Sequence, residues 1–249
     1  MTDTKKIKEQ AKEIEELKKL LDLVKEDKPK AFSSVDMKYL RELEIINKEF
    51  NQGYQFDIWF KNNIIVSNDV EIFLQKLLDK YGDLINKFNE DTLKVVFIGS
   101  ILERVNFLDR ELKIGNYYHK NLTYTNDKID FNGYCDFYVA KGLDYPEAPY
   151  FFIQEYKPSQ GGGDPEPQLL AELICAVELN KFEEMKGAYV VGATWNFVIL
   201  KKLAKDKYQY FVSRDFLSTR IDDLKDIYKN LLFVKDEIVE MVQKEHQPE

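Results

Sequence analysis

Residues 133–140 read GYCDFYVA, and residues 151–158 read FFIQEYKP. Both stretches are rich in aromatic and β-branched residues and are bordered by turn-forming residues, which is typical of β-strands. Residues two apart on a strand point to the same face of a sheet, so Glu155 and Lys157 share one side. If the two strands pair as a hairpin, Asp136 joins them. Two carboxylates and an ammonium group would then converge at the ends of neighbouring strands.

Charged residues are unusual in this setting. The apolar run 151–153 is of the buried-strand type, and a charged pair that continues it is unfavourable unless the charges serve a purpose. Two carboxylates suit a hard cation such as Mg²⁺, which keeps several waters and binds the phosphate oxygens of a substrate. A neighbouring lysine orients or helps to deprotonate an attacking water and stabilises developing negative charge. From the spacing alone, a structural salt bridge at a strand end explains these residues equally well.

The rest of the chain alternates helical patterns with short β-rich runs. The helical patterns cover residues 4–28, 34–50, 68–81, 89–108, 168–186 and 217–242. The β-rich runs cover residues 122–125, 129–139, 150–156, 188–193, 197–203 and 208–212. This order predicts an α/β fold with a central sheet flanked by helices and an added helical N-terminal region.

The charged residues of the two strands resemble the site of the PD-(D/E)XK nuclease superfamily. In that superfamily an Asp on one strand is followed by Glu-X-Lys on the next, as Asp136 is followed here by Glu155-Tyr156-Lys157. Cys135 stands where the superfamily name has a proline, at a position that varies among its members.

Other features resemble the restriction-endonuclease-like and RecB-like branches of the superfamily. The resemblance spans roughly residues 89–212, about half of the chain. The features are Gly133 before Asp136, Lys157-Pro158-Ser159 after the second strand, Gln168 at the start of the next helix, and a later hairpin with Gly187, Trp195 and Phe197. Together they make the resemblance more specific than the three charged residues alone.

The resemblance implies a restriction-endonuclease-like mixed sheet and an Mg²⁺- or Mn²⁺-dependent endonuclease, a hydrolase of phosphodiester bonds. Nucleic acid is the implied substrate and partner, with DNA favoured over RNA. Asp136 and Glu155 would be metal ligands, and the carbonyl oxygen of Tyr156 would supply a third ligand. Lys157 would position or activate the water, and Gln168 would support the site.

A glutamate on the helix before the strands often completes such a site. Glu90, just ahead of an apolar helical pattern, is the first candidate, and Glu103 on the same helix is the second. By composition alone either one is a solvated surface acid. Glu172 and Glu178, on the helix that follows the strands, are expected to face solvent or to pair with basic groups.

Composition excludes several classes of protein. The chain of 249 residues has 36 Lys and Arg against 44 Asp and Glu, so its net charge is −8, which argues against a broad basic surface for nucleic acid. A site in a local cleft remains compatible with this charge. There is no apolar run of the roughly 18–20 residues that a membrane span needs, no signal peptide, and no set of cysteines for a disulfide framework. We therefore expect a cytoplasmic protein without a membrane partner.

Three regions are expected along the chain. Residues 1–30 would form an amphipathic helix, residues 31–88 a helical accessory region, and residues 89–249 the nuclease-like domain. The first region follows a heptad pattern that predicts a coiled-coil seam and a homo-oligomer. The seam positions are Ile7, Ile14, Leu17, Leu21 and Val24. A solvated helix that packs on its own domain explains the same pattern equally well.

Three functions compete at this point. The first is a metal-dependent nuclease that uses Asp136, Glu155 and Lys157. The second is a catalytically idle nuclease-fold domain that binds nucleic acid or protein in a defence or repair complex. The third is an interaction protein whose helical N-terminus assembles a complex, which is compatible with either of the others. Retention of all three charged residues favours the first function over the second.

Overall fold

A computed structural model describes residues 14–16, 29–50 and 53–245 of the chain. Of the predicted seam, only Ile14 lies within these residues. The predicted N-terminal helix and the homo-oligomer that it would form therefore lie almost entirely outside the described residues and stay predictions.

In the described residues, nine strands form one mixed sheet. They are β1 (Lys30–Ala31), β2 (Ile46–Lys48), β3 (Ile114–Thr125), β4 (Asp130–Lys141), β5 (Glu147–Lys157), β6 (Glu184–Val191), β7 (Thr194–Ala204), β8 (Lys207–Val212) and β9 (Phe216–Leu217). Neighbouring strands follow the order β1-β4-β5-β6-β7-β8-β2, while β3 pairs with β4 and β9 pairs with β7. The pairs β1–β4, β5–β6 and β2–β8 are parallel, and the other pairs are antiparallel.

Helices cover both faces of this sheet. They are α1 (Met37–Glu42), α2 (Asp57–Phe60), α3 (Asn68–Tyr81), α4, α5 (Glu166–Asn180) and α6 (Ile221–Glu245). Helix α4 comprises three consecutive stretches, Glu90–Thr92, a π-helical stretch Leu93–Ile98, and Gly99–Val105. The side chain of Asn89 starts α4 by accepting a hydrogen bond from the N–H of Thr92 at 2.8 Å.

Two hydrophobic clusters fill the space between the sheet and the helices. Phe152 belongs to the cluster with α2, α3, α4 and α6, whereas the next residue, Ile153, belongs to the cluster with α1 and α5. Both side chains are fully buried. Helices therefore cover β5 on both faces, which explains why its sequence is a continuous apolar run.

Close packing holds α5 against the sheet. A Cβ atom on Gly187 of β6 would lie 3.0 Å from the carbonyl oxygen of Ile153 and 3.1 Å from a methyl group of Leu173 on α5. A larger residue at Gly187 would therefore push the helix away from the strands. This contact holds the middle of α5 against the middle of β5.

The predicted α/β class, with a mixed sheet flanked by helices, is confirmed. The prediction of one helix over residues 34–50 is wrong. Asp36, which accepts a hydrogen bond from the N–H of Tyr39, starts the short helix α1, and the chain turns at Glu44, where φ is 52°. The following strand β2 then pairs with β8. The sequence pattern does not show this pairing because its partner lies more than 150 residues away.

The region 31–88 contributes to the same sheet and clusters as the rest of the described chain. Its strand β2 pairs with β8, and Ala31 of β1 pairs with Asn132 of β4. Trp59 of α2 and Leu74 of α3 lie in the same hydrophobic cluster as α4 and α6. In the described part of the chain, no helix has both the length and the apolar character needed to cross a membrane.

Candidate active site

Strands β4 and β5 separate where the predicted site residues lie. Phe137 and Gln154 are the last paired residues of the two strands. Beyond this point β4 pairs with β1, and β5 continues beside β6. The N–H of Tyr156 donates a hydrogen bond to Oδ2 of Asp136 at 2.9 Å. The carboxylate of Asp136 thus replaces the missing strand partner and links the two diverging strands. We call the diverging strand ends, with Asp136 on β4 and residues 155–157 on β5, the fork.

Glu155 and Lys157 lie at the C-terminal end of β5, next to the fork. Lys157 donates a hydrogen bond to Oε1 of Glu155. The side chain of Glu155 is only 1% exposed and that of Lys157 is 18% exposed. The structure therefore brings Asp136, Glu155 and Lys157 together, with the acid inside and the ammonium nearer to solvent.

Helix α4 adds a second lysine to the site. Nζ of Lys94 lies 2.7 Å from Oδ1 of Asp136 and 2.6 Å from Oε1 of Glu90. Lys94 belongs to the π-helical stretch of α4, and such stretches occur frequently at functional sites. Lys94 is not among the site residues predicted from the sequence. Its spacing of four residues from Glu90 places the two side chains on one helix face and could have indicated their ion pair from the sequence.

The two candidates for the additional glutamate occupy different environments. Glu90 reaches Asp136 through Lys94. Glu103, on the last stretch of α4, is exposed, and its charge acts on Tyr118. Glu90 is therefore the glutamate of this pair that belongs to the contacts of the fork.

Helix α5 contributes a buried amide and a buried acid. Nε2 of Gln168 donates a hydrogen bond to Oε1 of Glu172 at 3.2 Å, and Glu172 is fully buried. The expectation that Glu172 faces solvent or pairs with a basic group is wrong, because α5 is buried on nearly all sides along its first three turns. Glu178 agrees with that expectation, since it pairs with Lys202 at 2.8 Å. In the sequence, Glu172 follows Gln168 by four residues within an apolar helix, and this spacing indicates that the two side chains share one helix face.

Burial shifts the proton equilibria of the acids. It raises the pKa of Glu155 to about 8, and the charge of Asp136 adds to this effect while Lys157 opposes it. Burial also raises the pKa of Glu172 well above its usual range, and the charge of Glu155 adds to it. The three carboxyl groups are thus in electrostatic contact with one another.

The pKa values of the two lysines are also raised, but their acidic partners are the cause and burial opposes the shift. Burial on its own would lower the pKa of Lys94, but hydrogen bonds and ion pairs with Asp136 and Glu90 outweigh burial and raise it. Burial likewise acts to lower the pKa of Lys157, and the charge of Glu155 outweighs it and raises that pKa. Both ammonium groups are therefore charged at neutral pH.

The fork contains oxygen donors of the type that divalent cations bind. Oε2 of Glu155 and Oε2 of Glu172 are buried and have no hydrogen-bond partner among the described residues. Buried carboxylate oxygens without a partner require a proton, a water or a cation. Asp136 and the carbonyl oxygen of Tyr156 add oxygen donors at the same strand ends. Within residues 14–16, 29–50 and 53–245, the side chains form no group of three or more His, Cys, Asp or Glu arranged to hold a metal ion.

Three further features of this region are Trp195, the lysines that follow β7 and the glycine loop 161–163. Trp195 is fully buried in β7 rather than in the turn of the β6–β7 hairpin, so it is a core residue and not a surface for stacking. The lysines after this strand contact acidic residues or a backbone oxygen: Lys201 pairs with Glu184, Lys202 with Glu178, Lys205 with Asp127, and Lys207 with the carbonyl of Glu44. The 161–163 glycine loop lies beside the site, since a Cβ atom on Gly162 would be 3.0 Å from Cβ of Lys157.

Comparison with known proteins finds no protein-family model and no curated protein that matches this chain. The interpretation of the site therefore depends on its own geometry and on the residue pattern. Both of these concern the same short segments, β4, β5 and the first half of α5.

Proposed function

We propose that this protein is a metal-dependent nuclease with a PD-(D/E)XK-type site on a restriction-endonuclease-like fold. The observation that carries the proposal is the fork, where Asp136, Glu155 and Lys157 meet in a partly buried cluster. A charged cluster at diverging strand ends is unfavourable for stability, because each charge loses contact with water. Functional sites are where such arrangements are found most often.

The order of elements around the fork supports the same proposal. The antiparallel pair β4–β5 is followed by α5, which crosses over and leads into β6, parallel to β5. This order places Gln168 and Glu172 of α5 close to Asp136 and Glu155. It is compatible with the mixed sheet that the superfamily resemblance implies.

Mg²⁺ or Mn²⁺ would be held by Asp136 and Glu155, with the carbonyl oxygen of Tyr156 as a third donor and Glu172 close by. The ion would act as a Lewis acid and lower the pKa of a bound water. Lys157 carries a charged ammonium whose role is to orient the water and the phosphate and to stabilise negative charge on the phosphate oxygens. The charge of Glu155 raises the pKa of Lys157, so its ammonium group is available as a hydrogen-bond donor.

The surrounding residues hold these groups in place. Lys94 links Asp136 to α4, and Glu90 fixes Lys94 from the preceding turn of the helix. Gln168 orients the carboxyl group of Glu172. Such partners of metal ligands affect metal affinity and activity strongly, although they do not touch the substrate.

The substrate is nucleic acid, with DNA favoured over RNA because of the superfamily resemblance. The net charge of −8 and the ion pairs of the lysines after β7 favour binding at a local cleft over binding across a broad surface. We place the protein in the cytoplasm. Its two cysteines, Cys135 and Cys175, are free buried thiols, which suits a reducing compartment.

One observation favours the alternative, a catalytically idle nuclease-fold domain that binds nucleic acid or protein. Lys94 and Lys157 already contact Asp136 and Glu155 directly. Both acids therefore have a cationic partner without a metal ion. The two functions differ in whether Mg²⁺ binding displaces these contacts and permits hydrolysis.

The decisive experiment is hydrolysis of labelled single-stranded DNA, duplex DNA and RNA by the purified full-length chain in Mg²⁺, Mn²⁺ or EDTA. We expect cleavage that requires the metal and is lost in Asp136→Asn and in Lys157→Ala. Lys128→Ala, an exposed lysine in the β3–β4 turn, is the matched control and should keep full activity. No cleavage together with no binding of either metal by calorimetry would refute the enzyme, and full activity of both site variants would refute the site.

A further inference from the structure

A cavity of about 430 Å³ lies beside the fork, between α4 and β3. Asp136 and Lys94, the ion pair of the site, line it together with three apolar residues of α4, Val95, Ile98 and Leu102. The cavity is therefore continuous with the place where the proposed function puts the reacting phosphate. Its volume is large enough for a ring-shaped ligand of the size of a nucleobase.

Aromatic side chains of β3 line the same cavity. Tyr118 is 49% exposed and packs on Phe137, with ring centroids 5.1 Å apart. His119, which has a positive φ of 49° inside the strand, stacks on Tyr134 with ring planes 10° apart. Two aromatic groups with accessible surface thus stand beside a charged site.

The apolar lining is unusual for a charged site. Val95 is 73% exposed and Tyr118 is about half exposed, so apolar surface at the cavity faces water directly. Covering that surface with a flat ligand is favourable, and stacking of a base on an aromatic ring adds to the gain. His119 and Asp91, which also line the cavity, offer polar groups for the edge of a ring.

We infer that this cavity receives an unpaired nucleobase of the strand whose phosphate lies at the fork, so that the substrate is single-stranded nucleic acid or an unpaired end. The inference rests on the proposed function, which places a phosphodiester beside Asp136. A base in a duplex must be unstacked and unpaired before it enters such a cavity, whereas a base in a single strand is available.

The charge of the protein supports a single strand over a duplex. Binding along a duplex uses several phosphate contacts to lysine or arginine, and a net charge of −8 opposes this. Stacking in a cavity supplies affinity without additional positive charge. Stacking in the cavity therefore explains how an acidic protein can bind a polyanion at this site.

The test measures binding of one fluorescein-labelled oligonucleotide, alone and annealed to its complement, by fluorescence anisotropy in Mg²⁺. The full-length chain carries Lys157→Ala to prevent cleavage. We expect the single strand to bind more tightly than the duplex. Adding Tyr118→Ala should weaken single-strand binding at least about fivefold, whereas Tyr118→Phe should change it by less than about twofold. Tyr145→Ala is the matched control, because Tyr145 is an exposed tyrosine at the opposite end of the β4–β5 hairpin.

The outcomes separate this inference, which binding tests, from the proposed function, which is tested by hydrolysis with the wild-type chain. Hydrolysis with equal binding of duplex and single strand, or with no effect of Tyr118→Ala, would overturn the cavity inference and leave the nuclease intact. Single-strand binding that depends on Tyr118 without any hydrolysis would support the cavity and refute the nuclease. Absence of both binding and hydrolysis would refute both. Circular dichroism of each variant shows whether a loss reflects misfolding.

Discussion

The ammonium group of Lys94 lies 2.7 Å from Oδ1 of Asp136 and connects helix α4 to the fork of strands β4 and β5. The same ammonium lies 2.6 Å from Oε1 of Glu90, one helical turn earlier. A single cation thus stands between two carboxylates at the place where the proposed function requires a divalent cation. Its effect on stability and on metal binding is open to direct measurement.

Lys94→Met should destabilise the metal-free protein and increase its response to Mg²⁺. In EDTA we expect the free energy of unfolding to fall by about 1–3 kcal/mol, because the carboxylate of Asp136 loses its charged partner while it stays largely buried. Mg²⁺ replaces the lost charge, so it should raise the Tm of the variant more than that of the wild type. Urea unfolding and thermal shift measure the two effects. Lys76→Met, an exposed lysine on α3, is the control, and equal Mg²⁺ shifts in all three proteins would contradict the prediction.

The stability of the metal-free protein should depend on the proton of Glu155. Its pKa is raised from 4.5 to about 8 in the folded state, so the folded state binds the proton more tightly than the unfolded state. This contribution to stability is complete below about pH 4.5 and is lost as the pH rises through about 8.

We therefore expect Glu155→Gln to remove part of the fall in unfolding free energy between pH 5 and 8.5, on the order of a few kcal/mol. Urea unfolding in EDTA at several pH values measures it. Glu147→Gln, an exposed glutamate at the start of β5, is the control and should follow the wild type. Parallel pH profiles for Glu155→Gln and the wild type would show that Glu155 keeps an ordinary pKa.

Two glutamates on α5 provide a matched comparison. Glu172 is buried with an unpaired Oε2 beside Glu155, whereas Glu178 pairs with Lys202 and accepts a hydrogen bond from Tyr208. Glu172→Gln should lower Mg²⁺ affinity or hydrolysis about 10–100-fold, because it removes a carboxyl group that can ionise beside a bound Mg²⁺. Glu178→Gln should leave hydrolysis unchanged. Calorimetry with Mg²⁺ and initial rates on one substrate would decide, and equal effects of the two changes would place Glu172 outside the site.

The two glutamates of α4 should likewise differ. Glu90→Gln weakens the ion pair that holds Lys94, and since this pair is partly exposed, we expect hydrolysis to fall only about fivefold. Glu103→Gln should stay within about twofold of the wild type, because Glu103 is exposed and does not contact the fork. Initial rates at saturating Mg²⁺ measure both. A larger loss in Glu103→Gln than in Glu90→Gln would reverse the assignment.

Local sequence patterns predicted the elements that carry the proposed site. The aromatic and β-branched runs of β4 and β5 and the apolar helix after Gln168 depend only on neighbouring residues, and the structure contains all three elements. The same patterns placed Asp136 on one strand and Glu155 with Lys157 on the next. Residues that contact one another within a hairpin are close enough in sequence for this reasoning to succeed.

The structure differs from the sequence predictions where distant segments meet. Strand β2 forms because Ile46 pairs with Tyr208, and nothing in the helical pattern of residues 34–50 shows that partner. Lys94 joins the site because α4 packs against the fork, and Glu172 is buried because the sheet and its neighbours enclose α5. A short-range pattern contains no information about which of several charged residues a distant strand will cover.

By itself, the sequence determined the α/β class, the strands β4 and β5, and the acid–acid–lysine pattern that predicts a metal-dependent site. It also determined a charge of −8, which excluded a broad basic surface for nucleic acid. The tertiary structure alone decided that Lys94 bridges Glu90 and Asp136, that Glu172 is buried with an unpaired oxygen, and that a cavity with aromatic walls lies beside them. The physical reason is that burial and the pairing of charges depend on which surfaces come together, and packing between distant segments determines this.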